Sequence, residues 1–235
     1  MASPDRPTGS TLKRIYQSGE WSDLTISTAT RDFHVHKAIV CPACPFFEAA
    51  CTRDFREART GVVTLPESAE AVEGILKFIY GLPLGEVTVE HATSENINHL
   101  RQLVDMHVAA DKYDLPGLWR LTKRSIITYI VSTTRVDKLV DQGQYTYQQD
   151  CGTVDQSIMR YQICAVAKSL PAIRQEDHVW QKLVANAEFL AAAIDQALEW
   201  GKPDAGRDAL HERVAMEEEE QFADIMRLWT ELHPK

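Results

Sequence analysis

The apolar residues of this chain change their spacing at Pro66, and that change constrains the fold more than any other feature. Upstream, from about Trp21 to Leu65, short runs repeat every second residue. "SDLTIST" places Leu24 and Ile26 on one face, "DFHVHK" does the same with Phe33 and Val35, and "GVVTLPE" is a β-branched run closed by Pro66. A period of two is what a half-buried strand needs. Downstream the period becomes 3.6, the signature of a helix with one buried face. In "SAEAVEGILKFIYG" Val72, Ile75, Leu76 and Ile79 make one stripe, with Ser68 placed as N-cap and Gly81 just past the end. Leu100, Leu103, Val104 and Val108 predict a helix ending near Tyr113, and Pro116 opens another that runs to about Ser132.

The remaining hundred residues carry helical patterns only. One stripe is Met159, Ile163, Val166 and Leu170. A second is Trp180, Leu183, Ala187, Leu190 and Ile194, and a third is Phe222, Ile225, Trp229 and Leu232. The segment "WGKPDAGRD" at Trp200–Asp208 is the clearest break. "GLPLGEVTVEHATSEN" reads as a turn-rich insertion with one short strand at Glu86–Val89, and "EEEE" at Glu217–Glu220 as a solvated helix face.

Charge and composition remove several function classes. The net charge is −9, with 34 acidic residues against 25 basic, so no positive field draws in nucleic acid or anionic membrane. No segment approaches the roughly twenty apolar residues of a membrane span. The opening "MASPDRPTGSTLKRIY" has no apolar run of the kind a secretory signal needs. Five unevenly spread cysteines do not form a disulfide framework, and reduced thiols in the cytosol or nucleus are expected. There is no G-x-S-x-G elbow, P-loop or G-x-G-x-x-G, and no glycine cluster to cradle a phosphate.

One stretch holds ligand-type chemistry. "FHVHKAIVCPACPFF" sets His34, His36, Cys41 and Cys44 within eleven residues, the cysteines spaced as CxxC. Zinc could use all four. Structural zinc sites, however, usually take ligand pairs from two separated segments, and only lone Cys151 and Cys164 lie elsewhere. Pro45 deprives Cys44 of a neighbouring N–H that could steady a thiolate, and it also crowds a thioredoxin-like reading. Val35, Ile39, Val40, Phe46 and Phe47 interleave with the four, as in a core segment. The preferred reading makes Cys41, Cys44 and Cys51 small core residues. No metal or cofactor is expected.

The order "WSDLTI", "FHVHKAIVCPACPFF", "FREARTGVVTLPE", "AVEGILKFIY" and "AADKYDLPGLWRL" resembles a BTB/POZ domain, and looks most like the BTB-only proteins of filamentous fungi. The likeness covers roughly half the chain. It implies an α+β fold, a small sheet capped by helices over residues 20–130. Residues 1–19 would form a tail and first helix, and 131–235 an all-helical extension. It further implies no catalysis and a role in protein–protein assembly, as a homodimerising scaffold or adaptor. His36 fills the family's usual histidine, and Cys44 stands where many members have serine.

The resemblance also implies site residues. A first helix over Ser10–Gly19 would supply a dimer interface through Leu12, Ile15 and Tyr16. Asp23 and Lys37 match the charged pocket of family dimers; locally, Asp23 could instead cap the backbone while Lys37 is solvated. "MASPDRPTG" lacks the apolar run of members that swap an N-terminal strand. Cullin recruitment, the family's other occupation, would use the partner-binding helix with Phe46, Phe47, Ala50 and Thr52. Where family members place a bulky apolar residue and an acid, this chain has Ala50 and Thr52. A substrate adaptor of a cullin-based ubiquitin ligase is the alternative function, and a zinc- or thiol-dependent enzyme a further one.

Overall fold

A computed structural model describes residues 8–53, 55–84, 97–148 and 155–201. The expected strand at 86–89, Cys151, the acidic run 217–220 and the stripe from Phe222 to Leu232 lie outside these residues. The elements are α1 (Thr8–Ser18), β1 (Leu24–Ser27), β2 (Asp32–Val35), α2 (Lys37–Ala43), α3 (Pro45–Thr52), α4 (Arg56–Thr60), β3 (Val62–Thr64) and α5 (Ala69–Ile79). They are followed by α6 (Ile97–Lys112), α7 (Pro116–Ser132), α8 (Val136–Gln148), α9 (Gln156–Ile173), α10 (Asp177–Val184) and α11 (Ala187–Gly201).

The three strands form one mixed sheet in the order β2-β1-β3. β1 pairs antiparallel with β2, setting Leu24 opposite Val35 and Ile26 opposite Phe33, and parallel with β3, setting Ile26 opposite Val63. All five of these side chains are buried. The period of two therefore put one face of the sheet where it was expected. Helix signals hold as well. The Ser68 hydroxyl accepts from Ala71 N at the start of α5, and Gly81 follows that helix at φ +65°. Pro45 and Pro116 open α3 and α7.

Two helical features depart from the sequence reading. The stripe from Trp180 to Ile194 is two helices, because the Asn186 side chain accepts from Phe189 N and restarts the chain as α11. α8 had no apolar signal. Its buried face includes Gln142, Gly143 and Thr146 beside Leu139 and Val140, so polar groups hide the helical period.

Apolar side chains gather in two cores. The first joins the sheet, α2, α3 and α5 to Met106, Ala109, Ala110, Tyr113 and Leu118. The second joins Leu100, Leu103, Val104, Ile126, Tyr129 and Ile130 to α8–α11. Thus α6 and α7 serve both, one end of each helix to each core. No described helix is long and apolar enough to cross a membrane.

Candidate interaction surface

The corner between β2 and α2 fixes the surface around it. Asp23 lies exposed just before β1, and its Oδ1 accepts the backbone N–H of Lys37 at 2.7 Å. An acid at the first free N–H of a helix acts as a cap, here reaching across 14 residues of sequence. Asp23 and Lys37 are therefore brought together, through the backbone of Lys37. His36 is buried one residue earlier. Its backbone N–H donates to the Tyr80 hydroxyl at 3.0 Å, and that hydroxyl lies 2.7 Å from His36 Nδ1. Nε2 lies 2.7 Å from the Glu20 carbonyl. A tautomer with the proton on Nε2 satisfies every member: Nε2–H donates to Glu20 O, and the Tyr80 O–H donates to Nδ1. Burial pushes the Tyr80 hydroxyl up to about 12, so it stays a donor. Tyr80 and Glu20 were not singled out in the sequence. Only the contact, across 44 residues, reveals Tyr80.

This network ties the α1–β1 linker to the core and presents α1 beside it. Leu12, Ile15 and Tyr16 are all half-buried. Ile15 and Tyr16, expected to face a partner, pack in part on the chain's own first core, with the Tyr16 ring 5.0 Å from that of Tyr80. Burial, reinforced by the nearby Glu73 charge, raises the Tyr16 hydroxyl to about 12. The residue that does project is Trp21. It is 72% exposed, sits at φ +60° and lies 5.6 Å from the Arg14 guanidinium. Nothing in the periodicity marks it, since it falls in a turn between elements.

The expected partner-binding helix is corrected in part. Phe47 and Ala50 of α3 are buried in the first core and offer nothing to a partner. A helix packed flat on the sheet side turns every third or fourth residue inward, and these two fall on that row. Phe46 is more than a third exposed and leans on Tyr113, ring centroids 4.8 Å apart. Thr52 is exposed, but its hydroxyl donates to its own helix at Glu48 O.

The ligand-type residues disperse. Cys44 is buried and donates to Tyr113 O at 3.4 Å; half-buried Cys41 donates to Phe47 O at 3.6 Å. His34 faces Thr25 on the exposed side of the sheet. Burial, with the neighbouring Cys51 thiol next, pushes the Cys41 thiol up to about 12, and burial raises Cys44 also. Cys41 and Cys51 pack against the first core. Among the described residues no group of three or more His, Cys, Asp or Glu side chains converges as metal ligands do.

With this geometry in place, comparison with known proteins is decisive. The family model of the BTB/POZ domain matches residues 12–129, half of the chain. The chain belongs to the BTB/POZ family. BTB/POZ domains are protein–protein interaction modules, so the exposed side chains above belong to a contact module. The chain is similar to the BTB/POZ and MATH domain-containing protein 5 of Arabidopsis thaliana, at 32% identity over 130 residues. That alignment covers 52% of this chain and 32% of the plant protein. It is also similar to Kelch-like protein 8 of Mus musculus, 27% identical over 70 residues, covering 29% of this chain and 11% of the mouse protein. The chain thus spans a third or less of either relative's length.

Proposed function

We propose that this BTB/POZ chain is a non-enzymatic scaffold or adaptor that pairs with a second copy of itself through the surface formed by α1, Trp21 and Asp23. Its kinship with the fungal BTB-only type belongs to the same reading. Trp21 is the observation that carries it. A bulky residue in the left-handed region costs roughly 1–2 kcal/mol, and an indole left in water forgoes its burial. Both penalties fall on one residue, whose indole lies by Arg14 of α1 and which precedes Asp23 by two positions. A partner surface that covers the indole offsets them.

The substitution Trp21→Gly separates the two roles. Glycine adopts φ +60° freely, so the monomer should keep or gain thermal stability. Interface tryptophans are frequent hot spots worth about 2 kcal/mol or more, and 1.4 kcal/mol is tenfold in affinity. Self-association measured by sedimentation should therefore weaken at least about tenfold. A wild-type chain that stays monomeric at tens of micromolar, or a Trp21→Gly chain that pairs unchanged, would overturn the reading.

The alternative, a substrate adaptor for a cullin, has less to stand on. The two expected contact positions hold Ala50, which is buried, and Thr52, whose hydroxyl is bonded to its own helix. We expect calorimetry against a cullin N-terminal domain to give no tight binding; submicromolar affinity would restore this reading. Thiol chemistry has less support still, since raised Cys41 and Cys44 stay protonated and weakly nucleophilic at neutral pH.

A further inference from the structure

The thiol that neighbours Cys41 is not its CxxC partner. α2 ends at Ala43 and α3 begins at Pro45, so Cys44 alone turns the chain, and the two helices pack on each other. Cys41 in α2 and Cys51 in the last turn of α3 are both half-buried, and both pack against the first core. Cys41 Sγ lies 3.6 Å from Phe47 O. In an α-helix that carbonyl also accepts the N–H four residues on, which here belongs to Cys51. The Cys51 thiol is thus the one beside Cys41. Cys44, the other half of the CxxC, is fully buried and donates instead to Tyr113 O at 3.4 Å.

We propose that Cys41 and Cys51 are a reversible modification site: exchange with a small-molecule disulfide of the glutathione class closes a bond between them that clasps α2 to α3. Burial keeps the Cys41 thiol protonated, so Cys51 attacks first and Cys41 resolves. The Cys51 sulfur, its proton given to water, bonds to one sulfur of glutathione disulfide. The S–S bond of the reagent breaks, and one glutathione thiolate leaves and takes up a proton. Cys41 then attacks the Cys51 sulfur of the mixed disulfide, and its proton goes to the second departing glutathione. Two thiols are oxidised by two electrons, and one glutathione disulfide is reduced to two glutathiones. The second step is intramolecular, because Cys41 already adjoins Cys51, and it outruns attack by free glutathione. A raised thiol is a poor first nucleophile, but a neighbour held in place can still resolve.

The test treats the full chain, purified reduced, with glutathione disulfide at graded ratios to glutathione. Free thiols are then blocked by alkylation, and cleavage after Glu48 separates Cys51 from Cys41 and Cys44 for mass spectrometry. The proposal expects Cys41 joined to Cys51 within one chain, Cys44 alkylated only after unfolding, and full reversal by dithiothreitol. Cys44→Ser should leave the bond in place. Cys41→Ser should accumulate glutathione on Cys51, whereas Cys51→Ser should take up none on Cys41. The linked chain should melt at least about 4 °C higher than the reduced one, because the bond restricts the unfolded chain. A bond from either residue to any other cysteine or to another chain would overturn the proposal. So would a wild-type mixed disulfide that never resolves, thiols that stay free at every ratio, or a linked chain that melts no higher.

Discussion

Glu67 is the residue on which distant parts of the first core converge. Its carboxylate accepts from Lys112 Nζ at 2.6 Å and from the Tyr113 hydroxyl at 2.5 Å, closing the turn before α5 onto the end of α6. Burial alone would raise its pKa; the hydrogen bonds from Lys112 and Tyr113 outweigh burial and lower it. The sign follows from which state holds the proton. Below the ordinary glutamate value of about 4.3 the unfolded chain is protonated while the folded one is not. The stability Glu67 contributes is therefore complete above that value and is lost as pH falls through the lower, folded one. Tyr113→Phe should cost about 1.5 kcal/mol at pH 7 by urea unfolding, as for a hydrogen bond to a charged acceptor. The cost should shrink below about pH 4 as the carboxylate protonates. A difference that stays constant from pH 7 to pH 3 would show that the lost hydrogen bond is not to a carboxylate. "LPE" and "ADKYD" are both visible in the sequence, but nothing in either says that they meet across 46 residues. For Asp23 a capping role was open in the sequence, but nothing there says that the N–H it holds is that of Lys37, 14 residues on.

Helices in this fold were legible in proportion to how apolar their buried face is. α5, whose inward row is Val72, Ile75 and Leu76, was readable with its cap and stop. α8 was not, because Gln142, Gly143 and Thr146 lie on its buried side. Gln162 Nε2 donates to Leu139 O and Gln142 Nε2 to Thr133 Oγ1, so hydrogen bonds do part of the packing there. The glycines of the two helices make the contrast testable. A Cβ on Gly143 would come within 2.3 Å of the Phe189 ring and 3.2 Å of Gln162 Nε2, whereas one on Gly74 would meet Met106 Cε at 2.5 Å. Phe189 is a rigid ring, fully buried. Met106 meets Gly74 with the far end of a flexible chain that can swing aside. Alanine also gains about 1 kcal/mol of helix propensity at either position. Gly143→Ala should therefore destabilise by about 1–3 kcal/mol, and Gly74→Ala should fall within about 0.5 kcal/mol of wild type. Thermal melts of the two variants side by side decide this; a reversed order would mean that the α8–α11 contact yields more readily than α5–α6.

At the scale of the whole molecule, the family match ends at residue 129 but the apolar packing does not. α6 and α7 are the last helices of the matched region, and they turn Leu100, Leu103, Val104, Ile126, Tyr129 and Ile130 into the second core, each at most 1% exposed. The Arg101 guanidinium also lies 5.1 Å from the Tyr145 ring of α8. The helical half is thus the cover for one side of two BTB/POZ helices, whatever further partner it serves. Cutting the chain after residue 130 would bare those six side chains. Burying one large apolar side chain is worth about 1.5–3 kcal/mol, so the loss is comparable with the roughly 5–15 kcal/mol that a whole domain has in reserve. A fragment of residues 1–130 should bind a hydrophobic dye strongly, aggregate at tens of micromolar and melt broadly or below the intact chain. The intact chain should unfold in one cooperative step, because no cut through α6 or α7 leaves either core complete. Replacing Leu103, Val104 and Ile130 with serine or threonine in the fragment should restore solubility, since those positions then face water. A soluble, dye-negative 1–130 fragment with an unchanged melting temperature would show that the first core suffices and that the second rides on it.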